Sequence, residues 1–385
     1  MTPATRLRGR LLMATVGIAL VAAQAIVPAH AVDGPTSFLA GLKHHTTIAS
    51  TVPANGDQNP YAVFVSPVTK GRLVQDHVLV GNFNNSGNLQ GLGSTIVQID
   101  PASQQLSLFA SVPQKLDRCP GGVGLTTALA VLKSGWVIIG SLPSTDGTTA
   151  TKGAGCLMLF DDQGKLADVW TDPKLNGPWG NMAVIDRGSS ATLFISNTGF
   201  DVGPAPAGDA PVTSKATVLR VGLQIPDGGK PRITDMTVVA NGFGEQPDKG
   251  VFIIGPTGIA LGPNGSIYVS DAIGNRIVSI PAALTRTDSA GTGTEITKDG
   301  LLKRPLALVS APNGNLLVAN GLNGQVVEID PRRTGDAAQV GAQWIDVDKA
   351  QQPPGSGDLF GLAVTPKGDG LYYVEDDVNT LVLAH

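Results

Sequence analysis

The chain has 385 residues, 42% of them hydrophobic and 15% charged, with a formal net charge of −4. That balance lacks the basic footprint a phosphate backbone requires, which excludes nucleic acid as a partner. With 49 glycines and 5% aromatics on so apolar a chain, disorder is excluded too, and a turn-dense β fold is indicated.

In chain order, residues 1–31 have the layout of an export signal. Arg6, Arg8 and Arg10 form a basic region, Leu11 to Val27 an apolar one, and Ala29-His30-Ala31 a small-x-small cleavage site before Val32. The expectation is a cut after Ala31, a single domain over residues 32–385 and a periplasmic or secreted location. Without the three arginines, 24 basic residues face 31 acidic ones, a net charge of −7. No later stretch is long enough to span a bilayer, so no membrane span is expected after signal removal.

From Tyr61 onward one pattern returns six times: a short apolar strand, a turn, an alternating strand, a polar connector and a third strand. Aligned on the apolar step, the copies fall at Val63, Val131, Val184, Leu261, Val309 and Val364, with gaps of 68, 53, 77, 48 and 55 residues. The fourth copy is the cleanest. Gly258 to Gly262 is a strand, Pro263 to Gly265 a turn whose Asn-Gly pair supplies positive φ, and Ser266 to Ser270 a second strand. Asp271 to Arg276 then connects to a third strand, Ile277 to Ile280. Units of roughly 40–50 residues with three or four strands are propeller blades, thin sheets that bury their faces only by stacking around an axis. The predicted fold is therefore all-β, a six-bladed β-propeller. The last copy has only three strands, and the segment from His45 to Val52 precedes the first. That N-terminal strand is expected to complete the C-terminal blade and remove the open edge.

Two cysteines, Cys119 and Cys156, lie in the connection entering the second blade and at the start of that blade's third strand. In an exported chain a disulfide between them is expected. No His is close enough in sequence to activate either thiol. Two connectors carry extra length: Phe200 to Lys215, rich in Pro, Ala and Gly, is expected to overhang one face of the disc, and Asn241 to Val251 adds Phe243, Glu245 and Asp248 before the fourth copy.

The connections after the second strands are uniform. Five of six place Asn or Asp there: Asn82, Asn197, Asp271, Asn320 and Asp376. One reading is a ring of oxygens at the channel mouth, suited to a hard cation such as Ca²⁺ or to the hydroxyls of a sugar or lactone. Turn chemistry is the other, because Asn and Asp favour left-handed backbone and local hydrogen bonds in hairpins. Turns account less well for Glu375, Asp376 and Asp377, since adjacent carboxylates repel unless solvated or metal-bound. Trp179, beside Asn181, is placed to stack on a ligand or to pack the core. His44, His45, His77 and His385 do not assemble into a metal-binding cluster.

Gly258 to Leu261, Pro263 to Asp271 and Gly274 to Ile277 resemble NHL-repeat propellers and the wider gluconolactonase-like superfamily of six-bladed, calcium-dependent phosphotriesterase type. The resemblance implies a divalent metal held at the channel by a Glu, an Asn and an Asp from the starts of inner strands. Asn181 matches the Asn. The other two positions carry Asn59-Pro60-Tyr61 and Thr257.

The function expected is an exported propeller that binds a small polar ligand or a cation, or serves as a scaffold, on its Asn/Asp-rich channel face. Candidate ligand-binding residues are Asn82, Trp179, Asn181, Asn197, Asp271, Asn320 and Asp376; candidate metal ligands are Asn181, Asp271 and Asp376. The alternatives are a metal-assisted hydrolase or lactonase with a divergent site, and a protein–protein interaction module. The partner is then a small polar molecule or a protein, and the cofactor, where one is used, Ca²⁺ or another divalent cation. Whether the chain is an enzyme stays open at this level.

Overall fold

The computed structural model describes Met1 and residues 37–113, 115–119, 121–204 and 211–385; the export signal expected over residues 1–31 otherwise lies outside them. The strands form six antiparallel sheets. Blade 1 is Gln58–Val65, Val78–Asn84, Thr95–Asp100 and Gln105–Ser111; blade 2 is Leu125–Val131, Val137–Ser141, Cys156–Phe160 and Leu166–Trp170. Blade 3 is Ala183–Asp186, Ser190–Asn197, Thr213–Gln224 and Arg232–Asp248, extended by Phe252–Ile254. Blade 4 is Pro256–Leu261, Ile267–Asp271, Arg276–Ile280 and Thr294–Lys298; blade 5 is Pro305–Ser310, Leu316–Asn320, Gln325–Ile329 and Gln339–Trp344. Blade 6 is Leu359–Val364, Leu371–Glu375 and Thr380–Ala384, completed by His45–Ser50 from the other end of the chain. The chain is a six-bladed β-propeller, closed as its sequence predicts.

The closing strand runs antiparallel to the last one, pairing Thr46 with Leu383 and Ser50 with Thr380. The amides of Lys43 and His44 both donate to the His385 carbonyl at 2.9 Å. Upstream, the buried Glu328 carboxylate accepts from Ser37 Oγ (2.6 Å), the Phe38 and Leu39 amides (3.0 Å each), Asn313 Nδ2 (2.8 Å) and Asn315 Nδ2 (2.7 Å). Together these contacts fix the segment that leads into the closing strand.

The first strand of each blade is innermost and, except between blades 2 and 3, lies against the first strand of the next blade. That approach is close enough to forbid side chains at certain points: a Cβ on Gly258 would strike the Leu308 backbone, and one on Gly361 that of Tyr61. Hydroxyls satisfy backbone groups where inner strands diverge. Ser196 Oγ accepts from the Gly180 amide (2.9 Å) and donates to the Thr257 carbonyl of the next blade (2.7 Å). Ser270 Oγ likewise joins the Gly258 amide (2.7 Å) to the Leu306 carbonyl (2.5 Å). Between blades the core is mostly aliphatic. Leu79 and Ile96 of blade 1 meet Leu129 and Ile139 of blade 2, and each such residue contributes about 1.5–3 kcal/mol by leaving water.

In the fourth copy the turn forms as expected, with Asn264 at φ 55 and Gly265 at φ 72. Cys119 and Cys156 form a disulfide with Cα atoms 5.6 Å apart. One expectation differs from the structure. The segment from Asn241, read as a connector, continues the long fourth strand of blade 3 through Asp248 and folds back as a hairpin onto Phe252–Ile254. Its Gly and Pro residues signal a loop, but Phe243, Glu245 and Pro247 alternate inward, and that burial makes it a strand.

Candidate functional site

Three Asn residues at or near the ends of second strands have a common task. Asn82 Nδ2 donates to the Thr51 carbonyl (3.0 Å). Asn197 Oδ1 accepts from the Asn176 and Gly177 amides (2.9 and 3.0 Å) while its Nδ2 reaches Lys174 O (2.7 Å) and Thr217 Oγ1 (2.9 Å). Asn320 Oδ1 accepts from the Lys303 amide (2.9 Å) and its Nδ2 donates to Leu301 O (3.0 Å). In each case the amide ties the strand end to the connection entering its own blade. Asp271 instead caps its turn, accepting from the Gly274 amide (2.9 Å) and Arg276 Nε (2.8 Å). Asn82, Asn197, Asp271 and Asn320 are all buried.

At the axis, where a channel-bound metal would sit, the side chains are aromatic. Tyr61 is sandwiched between Phe83 and Phe360, with ring centroids 4.6 and 3.8 Å away and interplanar angles of 19° and 14°. Trp179 meets Tyr61 and Phe83 edge-on at 5.8 and 5.5 Å, and Phe252 packs against Phe83 at 5.5 Å. Leu142, Val202, Leu306, Ala272 and the aliphatic Val251, Ile253 and Ile254 belong to the same cluster, to which every blade contributes. Val202 comes from the long connector expected to overhang this face. Asn181 is spent on backbone: its Nδ2 donates to Ile259 O and Leu308 O (3.0 Å each), and its Oδ1 accepts from the Leu308 amide (3.1 Å). Thr257 Oγ1 donates to Gly255 O (3.0 Å). With Asn59, Asn181 and Thr257 in the three ligand positions and rings between them, these residues do not fit a divalent cation at the channel. Nor are Asn181, Asp271 and Asp376 brought together as one ligand set, because each is engaged at a different place.

Carboxylates do converge elsewhere, where the connection entering blade 6 meets that blade's own turn. Asp346, Asp358 and Asp377 offer oxygens that all lie within 4.8 Å of one another. Asp376 joins them through its amide, which donates to Asp358 O (3.1 Å). Local backbone bonds set the geometry: Asp346 Oδ1 accepts from the Asp348 amide (2.8 Å), and Asp377 Oδ1 from the Val378 amide (2.7 Å). Asp346 and Asp358 are each 5% exposed, and the Oδ2 atom of each has no hydrogen-bond donor. Among the described residues none of the four carboxylates forms an ion pair. Burial, then the charges of Asp377 and Asp346, push Asp358 up to about 7. Burial, then Asp358 and Asp377, hold Asp376 well above the usual carboxylate range. Glu375 is pushed up to about 7 by burial and then by Asp346. Such a nest holds protons or a cation. Asp376 and its acidic neighbours are visible in the sequence as an unusual run. Asp346 and Asp358 are not singled out there; the signal for them is an Asp-x-Asp step at residues 346–348 followed by Asp358 in a Pro/Gly-rich connector.

No protein-family model and no curated protein matches the sequence. Solved structures of similar shape include a gluconolactonase from Xanthomonas campestris, 12% identical, with 89% of this chain and 93% of that one covered at a TM-score of 0.53. A calcium-binding regucalcin from Agrobacterium tumefaciens is 13% identical over 89% and 93% of the two chains, with a TM-score of 0.49. Virginiamycin B lyase from Staphylococcus aureus is 14% identical over 88% and 84%, with a TM-score of 0.48. At these identities the likeness is one of fold. Among the described residues no helix is long and apolar enough to cross a membrane.

Proposed function

We propose that this propeller is an exported cation-binding protein, with a single domain over residues 32–385, in which Ca²⁺ sits among Asp346, Asp358, Asp376 and Asp377. The observation that carries the reading is a pair of buried carboxylate oxygens with no donor, Asp346 Oδ2 and Asp358 Oδ2, on two residues whose carboxylates converge with that of Asp377. An all-oxygen set suits Ca²⁺ better than Zn²⁺, which prefers nitrogen and sulfur. The exposed Asp377 gives the ion an entry path. The bound ion would bridge the connection entering blade 6 to the turn of that blade, so its role is to set this rim of the disc for binding. Export is supported by the disulfide and by the sequence of residues 1–31. The lactonase chemistry of the similarly folded Xanthomonas protein is not carried over, because the channel lacks two of the three expected ligands and the third is bonded to backbone.

Calorimetric titration of EGTA-treated protein with Ca²⁺ tests the reading. One ion per chain is expected, with Kd on the order of 10⁻⁴–10⁻³ M, the range of extracellular modules. Asp358→Asn and Asp346→Asn should each abolish the heat while leaving the protein folded. No heat and no change in Tm at millimolar Ca²⁺ would end the proposal.

A further inference from the structure

The face of the disc opposite the acidic cluster carries a cleft, between blades 1 and 6, that is independent of the Ca²⁺ reading. We propose that this cleft binds a small organic cation, an ammonium group on an apolar body.

The walls are built from turns. Blade 6 supplies the turn between its first two strands, and blade 1 supplies the entry to its second strand and the turn after its third. Each is fixed by its own hydrogen bonds. Asp369 Oδ1 accepts from Thr365 Oγ1 (2.8 Å), which accepts in turn from the Asp369 and Gly370 amides (3.1 and 3.0 Å). Asp100 accepts from the Ala102 amide (2.9 Å) and Ser103 Oγ (2.6 Å). Asp76 sits in left-handed backbone at φ 67, and its amide donates to the Ser66 carbonyl (2.9 Å). Between these walls lie about 480 Å³, within the range of about 300–1,000 Å³ that small-molecule sites occupy.

Charge decides the class of ligand. Asp76, Asp100 and Asp369 line the cleft, and His77 Nε2 stands 3.7 Å from Asp100 Oδ1. Even with His77 protonated, three carboxylates face two cations, His77 and Lys367, and that excess disfavours an anion. Among the described residues neither Asp76 nor Asp369 forms an ion pair, and the Asp76 carboxylate accepts no hydrogen bond. Tyr372 adds an independent sign of a missing partner. It lines the cleft while only 6% exposed, and its hydroxyl has no hydrogen-bond partner among the described residues. Burial, then the charges of Asp369 and Asp76, push this phenol up, so its oxygen lies toward those two acids. Asp76, Asp369 and the Tyr372 hydroxyl thus offer three acceptors, and an ammonium group has three donors and no acceptor. Pro101, Pro366 and Leu383 add apolar surface that a bare ion would leave uncovered, which calls for an apolar body on the cation.

Titration of the full chain with benzylamine, followed by calorimetry and ligand-observed NMR, tests the assignment, with benzyl alcohol as the neutral counterpart. The wild type should bind one equivalent of the amine and should bind the alcohol about fivefold more weakly. Asp76→Asn keeps a residue that tolerates left-handed backbone and should weaken amine binding about tenfold. Tyr372→Phe keeps the packing of the ring and should weaken it about threefold. Lys367→Gln removes a like charge and should tighten it about threefold, the reverse of what an anion would show. Failure of the wild type to bind benzylamine overturns the proposal, and so does binding that Asp76→Asn and Tyr372→Phe both leave unchanged, which would place the amine elsewhere. Equal affinity for the alcohol, or weaker amine binding by Lys367→Gln, overturns the choice of a cation and the proposal with it.

Discussion

Asp358 shows how much a side chain's meaning depends on distant residues. Its carboxyl is pushed up to about 7, as is that of Glu375, so the folded chain keeps protons there that the unfolded chain releases near pH 4. Stability from these groups is full below the unfolded value and is lost as pH rises through the folded one. Cation-free protein should therefore lose several degrees of Tm between about pH 4 and pH 8 in scanning calorimetry. Saturating Ca²⁺ should flatten that slope, and so should Asp358→Asn. A slope unchanged by either would place the titrating groups elsewhere. The Asn residues at the strand ends make a different prediction. Asn197 makes four hydrogen bonds while buried, so Asn197→Ala should cost about 2–3 kcal/mol in urea unfolding. Sequence shows that Asn recurs at this point in the repeat; it does not show whether the amide serves a guest or the backbone. The partners, Lys174 to Gly177 for Asn197 and Leu301 to Lys303 for Asn320, lie in connectors with no pattern of their own. Asn181 matched a ligand by type for the same reason, and its amide makes three bonds to backbone groups.

At the level of elements, legibility follows periodicity. The hairpins of blades 4, 5 and 6 were readable because Asn-Gly or Gly turns separate β-branched runs. The end of the long strand in blade 3 was not, because Gly242, Gly244 and Pro247 argue locally for a loop while the burial of Phe243 and Glu245 decides otherwise. The aromatic hub was hidden in the same way: Tyr61, Phe83, Trp179, Phe252 and Phe360 are scattered over the chain, and only ring closure brings them together. The disulfide is an element-scale device that spacing and compartment did suggest. It closes a loop of 37 residues, so its reduction should cost about 4 kcal/mol in the chain-entropy model. Urea unfolding with and without dithiothreitol measures this. The double variant Cys119→Ser/Cys156→Ser should match the reduced protein and be insensitive to the reductant.

The whole molecule is a ring, and a ring is only as secure as its seam. Here the seam is the pairing of His45–Ser50 with Thr380–Ala384, backed by the contacts of Ser37, Phe38 and Leu39 with Glu328. Five hydrogen bonds outweigh burial and hold Glu328 below the usual carboxylate range. Glu328→Gln should weaken this anchor by about 2 kcal/mol, read as a lowered Tm and faster amide exchange over residues 37–50. Removing residues 37–50 altogether should bare the edge of Thr380–Ala384 and yield oligomers in size-exclusion chromatography. A monodisperse monomer would mean the other contacts suffice to keep the edge covered.

That seam also dictates an order of events during synthesis. The strand that finishes blade 6 leaves the ribosome ahead of the five other blades, and it must wait, unpaired, while they are made. Blades 1 to 5 can assemble as they emerge, but the circle shuts only when Thr380 to Ala384 arrive to meet it. Until then the nascent protein carries a sticky ribbon ahead of its first blade, so whatever shields that ribbon in the cell governs how much of the product reaches its closed form.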